Sequence, residues 1–361
     1  MSIMPEVNSS VTTVGVDLAK DIITVFAVDA YGRKLQVKDI RGKEFSAWLV
    51  QLPEGCVVGM EACSGAHHWG RLMNEYGLVP RIMAAEFVKP FRKSISAKND
   101  RNDAEAICTA VRQPNMRFVS VKNIEQQQRL TWHRLREGWK EERTALINRT
   151  RGVLAEFGIV IGKSSAAFTR ALTGLIREEG QPATLRNLLE QVQKQLKALD
   201  ERLAQCDRTI AQQARHCEDA KRLQAITGVG VITADAITAT VGDARDFKNG
   251  RQFSAWNGIT PRQYSSGGKS RLGGITRRGD AYLRTLLIQG ARSTLNAALK
   301  RAPDKLSRIQ RWIVEVNARV GYHKALVAIA NKHARMIWAI LAKGEAFNPD
   351  AWQEYQIGES V

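Results

Sequence analysis

Apolar residues change their spacing along this chain, and the changes divide it. Residues 12–33, "TTVGVDLAKDIITVFAVDAYGR", hold two runs rich in β-branched side chains around a short polar turn, which predicts a β-hairpin. "RKLQVKDI" (33–40) extends this to a third strand, and "KEFSAWLVQL" (43–52) has the spacing of a short amphipathic helix. "CVVGMEA" (56–62) is an apolar run of buried-strand length, and "AHHWGRLMNEYG" (66–77) reads as a helix closed by Gly77. "VPRIMAA" (79–85) returns to strand, and 100–111 is again helical in its spacing. A hairpin feeding alternating strands and helices predicts a mixed sheet covered by helices, an α/β layer.

From about Val121 the helical period takes over. In "TLRNLLEQVQKQLKALDERLAQCDRTI" (184–210), Leu185, Leu189, Val192, Leu196, Leu199, Leu203, Cys206 and Ile210 follow steps of four and three. That is a heptad seam, predicting a coiled coil roughly 40 Å long or a helical bundle. Its partner is either the helix at 126–157 or a second copy of the chain. "LQAITGVGVITADAITATVGD" (223–243) places two short helices around Gly228-Val229-Gly230. This fits a helix-hairpin-helix offering backbone N–H groups to phosphate, and equally a tight packing turn. "NGITPRQYSSGGKSRLGGITRRGDAYLR" (257–284) reads as a glycine- and serine-rich loop. Three amphipathic helices near 283–299, 305–320 and 323–341 close the chain, with Trp312 and Trp338 as core residues. The fold class expected is therefore α/β plus all-α, in four parts: 1–120, a helical spacer at 121–218, a helical domain at 219–345 and a tail at 346–361.

Charge adds a partner. Lys and Arg number 54 against 36 acids, a formal excess of +18. Residues 251–343 carry 18 Lys and Arg against Asp280, Asp304 and Glu315, so most of the excess lies in one stretch. Such concentration is the electrostatic footprint of a nucleic-acid binder. Five cysteines without CxxC spacing argue against a disulfide framework or zinc ribbon and for a reducing cytoplasm. No apolar run has the form of a signal peptide or a bilayer span, so no membrane role is expected.

Against that basic background a few acids are conspicuous. Asp17 lies in the first strand and Glu61 ends the buried one, where an unpaired carboxylate is costly. Asp100 and Asp103 are one helical turn apart and share a face. If the helix packs beside the first strand, the four carboxylates meet and need divalent cations. Hard oxygen ligands favour Mg²⁺ or Mn²⁺, which suit phosphodiester displacement. Each acid also has an ordinary reading: Asp103 as a helix cap or surface acid, Asp100 as a partner of Arg101 or Lys98, and Glu61 as a strand end facing water.

Strand-borne "GVDLAK", strand-end "MEACSG" and helical "KNDRNDAEAI" resemble the DEDD signature of a RuvC-like, ribonuclease-H-type nuclease domain. More specifically they resemble the DEDD transposases of the bridge-RNA-guided insertion sequences, relatives of the Piv-type DNA invertases. The likeness extends through "GVG" to "GITPRQYSSGGKSRLGGITRRGDAYLR". It implies metal binding by Asp17, Glu61, Asp100 and Asp103, and a nucleophilic serine before a glycine, here Ser266. Ser265 and Tyr264 are competitors for that role. It further implies phosphoserine-linked DNA, donor and target DNA as partners, a structured guide RNA, and a site completed by folding back or by a second subunit. A dimer or tetramer joined through the heptad seam follows as an expectation. Lys98, Arg101, Arg262, Lys269, Arg271, Arg277, Arg278 and Arg284 are the expected phosphate contacts, with Gly279 at the entry to a helix. His67, His68, His323 and His333 form no ligand or base pattern. Three rivals remain: a Holliday-junction-type nuclease using metal-activated water, an actin-like ATPase or sugar kinase, and a non-catalytic DNA-binding scaffold.

Overall fold

The computed structural model describes residues 10–92, 99–266 and 269–348, with the side chains of 266, 269 and 270 left aside. Two compact units divide the chain, Met1–Glu125 and Gln126–Val361.

In the first unit the elements run β1 (Thr13–Asp17), β2 (Ile22–Val28), β3 (Lys34–Arg41), α1 (Gly42–Leu49), β4 (Val57–Glu61), α2 (Ala66–Glu75), β5 (Val79–Met83), α3 (Ala85–Val88) and α4 (Asp100–Val111). The sheet order is β3-β2-β1-β4-β5. β1 to β3 pair antiparallel, while β4 runs parallel to β1 and β5 parallel to β4. This is the mixed sheet that the pattern predicts. The central strand β1 is buried from Thr13 to Val16 because it is covered on both faces, and only its last residue, Asp17, is half-buried.

Strand alternation divides the work of those faces. Val14, Val16, Val58 and Met60 pack with Phe45, Trp48 and Met73 on one side. The intervening positions, Gly15 and Gly59, are paired in register and lie under α4. A Cβ on Gly15 would stand 2.1 Å from the Ala104 carbonyl oxygen, so helix backbone rests directly on strand backbone there. Asp17 and Glu61 have the same parity as these glycines, which turns both toward the face that α4 covers. Gly15→Ala is therefore expected to push α4 off the sheet and cost about 3 kcal/mol, the upper part of the overpacking range. Urea unfolding of the full chain checks this, and an unchanged midpoint would refute the close approach.

The second unit begins within α5 (Ile124–Ala155) and continues through α6 (Ser165–Arg177) and α7 (Ala183–His216). Arg136 pairs with Asp207 at 2.6 Å and Arg143 with Asp200 at 2.6 Å. The order of these pairs makes α5 and α7 antiparallel. Leu185, Leu189, Val192, Leu196 and Leu199 of the seam are buried with Leu146, Ile147 and Leu154 of α5 and Phe168 and Leu172 of α6. Cys206 and Ile210 are buried as well. The heptad seam thus packs against α5, one of the two partners the spacing allows, and against α6.

The rest of the unit comprises α8 (Glu218–Leu223), α9 (Val231–Thr240), α10 (Gly250–Trp256), β6 (Pro261–Ser266), β7 (Lys269–Ile275), α11 (Ala281–Leu299), α12 (Arg308–Val320) and α13 (Tyr322–Lys343). Ile226, Ile237, Phe253, Leu287, Leu295, Ile313, Ile329 and Ile337 centre its core, with Trp312 and Trp338 packed against it. Gly228 has φ +94°, and a Cβ there would stand 2.7 Å from the Gly290 carbonyl oxygen of α11. The GVG turn therefore packs directly against α11. α13 has the length and apolarity of a bilayer-crossing helix, but Leu326, Ile329, Ile337 and Ile340 are buried in this core.

One correction concerns the glycine-rich segment. It is an antiparallel two-stranded ribbon, β6 with β7, rather than a loop. A register shift beside Arg262 accommodates the ribbon's twist. Its root is tied by Thr276 N–H donating to the Thr260 carbonyl at 2.9 Å and Arg277 N–H to that of Gly258 at 3.1 Å.

Candidate active site

α4 starts where it does because Asn99 caps it, its side-chain oxygen accepting from the Arg101 N–H at 3.0 Å. The cap is therefore supplied outside the acid pair, and Asp103 is free for another task. Asp103 is buried at 8% exposure in the first turn, while Asp100 beside it is exposed. Arg101 points elsewhere: its Nη2 donates to Asp39 of β3 at 2.8 Å, and holds that carboxyl below its usual range.

Asp17 carries the electrostatic record of the arrangement. Burial pushes its carboxyl up to about 6, and the charges of Asp103, Asp100 and Glu61 push the same way. Asp17 thus feels the charge of each of the other three acids nominated from sequence. Glu61 is raised too, first by burial, with Arg92 opposing and Asp103 adding. Arg92, which follows a single 3-10 turn after α3, enters this cluster: its Nε lies 3.0 Å from Asp103 Oδ1 and its Nη2 3.4 Å from Glu61 Oε1.

The donor set is all carboxylate oxygen, which fits a hard divalent cation. Asp17, Glu61, Asp100 and Asp103 are the residues that would hold it. With Arg92 between two of them, no group of three His, Cys, Asp or Glu among the described residues forms a metal cage as it stands. Sequence reasoning missed Arg92, since nothing local separates it from the other basic residues of the "KPFRK" stretch.

The other expected residues belong to the second unit. Ser266 ends β6, with its backbone paired to Lys269. Ser265 takes the opposite strand parity, and its hydroxyl accepts from Gln263 Nε2 at 2.8 Å. Arg262 and Tyr264 share one strand parity, and Arg271 lies directly across from Tyr264. Arg262, Tyr264 and Arg271 are all exposed. No acid occurs between 261 and 275, so the described ribbon is purely cationic.

Arg277, with φ +57°, and exposed Arg278 form the turn into α11, which Asp280 caps through the N–H groups of Tyr282 and Leu283. Arg284 Nη1 donates to the carbonyls of Asn257 and Arg278 at 3.3 and 3.1 Å, which latches this turn. Lys98 lies outside the described residues. His333 is buried and pushed down to about 4, consistent with a neutral core histidine.

Residues 14–159 match the family model of DEDD transposases of the IS110 type, and residues 220–306 match the transposase model of the IS116/IS110/IS902 family. The chain is similar over its length to curated proteins. A "Probable family 20 transposase" of Pseudomonas aeruginosa is 40% identical over 94% of this chain and 99% of its own. The "Transposase for insertion sequence element IS1111A" of Coxiella burnetii is 38% identical, covering 92% and 90% respectively. That for IS1328 of Yersinia enterocolitica is 35% identical, covering 94% and 99%.

Proposed function

The chain belongs to the IS116/IS110/IS902 family of insertion-sequence transposases, and from that premise we propose that two sets of its residues cut and rejoin DNA. Asp17, Glu61, Asp100 and Asp103 hold Mg²⁺ or Mn²⁺, and Ser266 attacks the scissile phosphodiester. The observation that carries the reading is the acid cluster at the ends of β1 and β4, where Arg92 bridges Glu61 and Asp103 and where burial and neighbouring acids drive Asp17 up to about 6. A bound divalent cation would polarise the phosphate oxygens.

Ser266 loses its hydroxyl proton and its oxygen bonds to phosphorus, while the departing deoxyribose oxygen gains a proton and leaves as a hydroxyl. The phosphodiester energy is kept as phosphoserine, so a second strand end can reverse the step without ATP. Arg262 and Arg271 flank the reacting phosphate, with Lys269 three residues after the serine, and offset the charge that develops on it. Ser266 is preferred to Ser265 because the serine-before-glycine pattern of the family falls on it, whereas the Ser265 hydroxyl is engaged by Gln263. Arg277, Arg278, Arg101 and Lys98 extend the DNA contacts. In this division of labour 1–120 is the metal-dependent RuvC-like domain, 121–218 a spacer and 219–345 the serine domain. A guide RNA and further copies of the chain complete the assembly; the +18 charge favours such a polyanion.

Trapping tests the reading. Wild-type protein incubated with Mg²⁺ and donor DNA, then denatured and digested, is expected to yield a nucleotide-linked peptide with the bond on Ser266. Cleaved DNA with no adduct would replace this mechanism by the metal-activated-water nuclease, and an adduct on Ser265 would move the nucleophile. Sequencing nucleic acid that co-purifies with the chain checks the guide: one discrete structured RNA is expected, and a random mixture argues against it.

A further inference from the structure

Arg92 is the one cation seen bonded among the proposed metal ligands in the described residues, and no part of the mechanism uses it. Its guanidinium spans two acids from different elements, Glu61 at the end of β4 and Asp103 on α4. Its side chain is 35% exposed while theirs are 20% and 11% exposed, so the contact reaches inward from the rim of the cluster. A surface ion pair contributes little, but this one touches carboxylates that already repel one another. Arg92 lowers the Asp17 and Glu61 carboxyls, against the burial and neighbouring acids that raise them.

A guanidinium and a divalent cation make competing claims here. Both need the lone pairs of Glu61 and Asp103, and two positive centres within one small carboxylate cluster repel. We propose that Arg92 is the resting counter-cation of Glu61 and Asp103, and that a divalent cation must displace it to be clasped by the acids. The proposal rests on the metal reading above and accounts for the absence of a ready-made cage in the described residues. Once displaced, the guanidinium is a planar donor with a free fork beside the place where a phosphate must arrive, the geometry suited to bidentate phosphate binding. Arg92 is thus a positioning residue: it keeps the cluster folded without metal and turns to the DNA backbone when metal enters.

Calorimetric titration of the full chain with Mn²⁺, in the absence of DNA, tests this. Arg92→Gln is expected to bind Mn²⁺ about tenfold more tightly than wild type, the effect of removing a modest competing charge interaction. Its metal-free melting temperature should fall, with Mn²⁺ restoring more of it than in wild type. Arg92→Lys keeps the charge without the fork and should lie between the two, which separates competition from simple misfolding. Equal or weaker Mn²⁺ binding by both variants would overturn the role given to Arg92 while leaving the metal site intact. If neither wild type nor Arg92→Gln binds Mn²⁺, or if Asp17→Asn binds it as wild type does, the metal reading fails, and this proposal with it.

Discussion

Asp17→Asn is expected to abolish DNA cleavage, by about 10³-fold or more, while making the metal-free protein more stable. The activity loss follows from removing a charged oxygen ligand at the centre of the cluster; loss of about 4 kcal/mol of transition-state stabilisation gives that factor. DNA binding should persist, because the exposed arginines of the ribbon and of the turn into α11 lie in the other unit.

The stability gain follows from the direction of the pKa shift. The Asp17 carboxyl is raised from 3.8 to about 6 in the folded chain. Between those values the folded state binds more protons than the unfolded one, so stability rises as pH falls from above 6 and is lowest when Asp17 is ionised. Asparagine occupies the same volume without the charge. Melting temperatures in chelator should therefore favour Asp17→Asn at about pH 7.5 and converge with wild type near about pH 4. Mg²⁺ should narrow the gap at the higher pH by stabilising only the ionised wild type. A variant less stable than wild type at pH 7.5 would show that Asp17 is a structural ligand of the strand end rather than a strained metal ligand.

Much of this site was legible because its logic is periodic. Alternation along "GVD" and "GME" placed Asp17 and Glu61 on strands, and the three-residue step placed Asp100 and Asp103 on one helix face. What brings them together is less legible: Gly15 and Gly59 admit α4 onto the sheet, and nothing in a strand-like run announces that its glycines are a floor for a helix. Arg92 escaped for a related reason, since its partners are 31 and 11 residues away and belong to other elements. The ribbon of β6 and β7 was hidden by composition. Gly267, Gly268, Gly273 and Gly274 depress β-propensity, and the pairing of β6 with β7 is visible only in the folded chain. The heptad spacing marks the apolar stripe of α7, but periodicity describes one helix and is silent about which partner fills it.

The largest effect on stability is expected at a residue the sequence did not single out, Asp235. It sits in the middle of the apolar helix "VITADAITAT" at 0% exposure. An aspartate there survives only if each oxygen is satisfied, and both are. Oδ1 accepts from Arg129 Nε at 3.0 Å and Nη2 at 2.6 Å, and Oδ2 lies 2.9 Å from His133 Nε2. His133 Nδ1 in turn meets the Tyr282 hydroxyl at 2.9 Å, so one network ties α5, α9 and the start of α11. Arg129 and His133, four residues apart on one face of α5, are the signal that sequence alone offered. Asp235→Ala strands the buried guanidinium of Arg129, and removing one partner of a buried pair costs about 3–5 kcal/mol. The full chain's melting transition should fall by roughly 10 °C. Asp235→Asn should cost less, since it keeps one acceptor for Arg129. The decisive comparison is Arg129→Met with Asp235→Leu: removing both charges should recover most of the loss, as the remaining cost is packing alone. If the double variant is as unstable as Asp235→Ala, the network contributes through its exact shape and the links to His133 and Tyr282, and the stranded charge is not the cause.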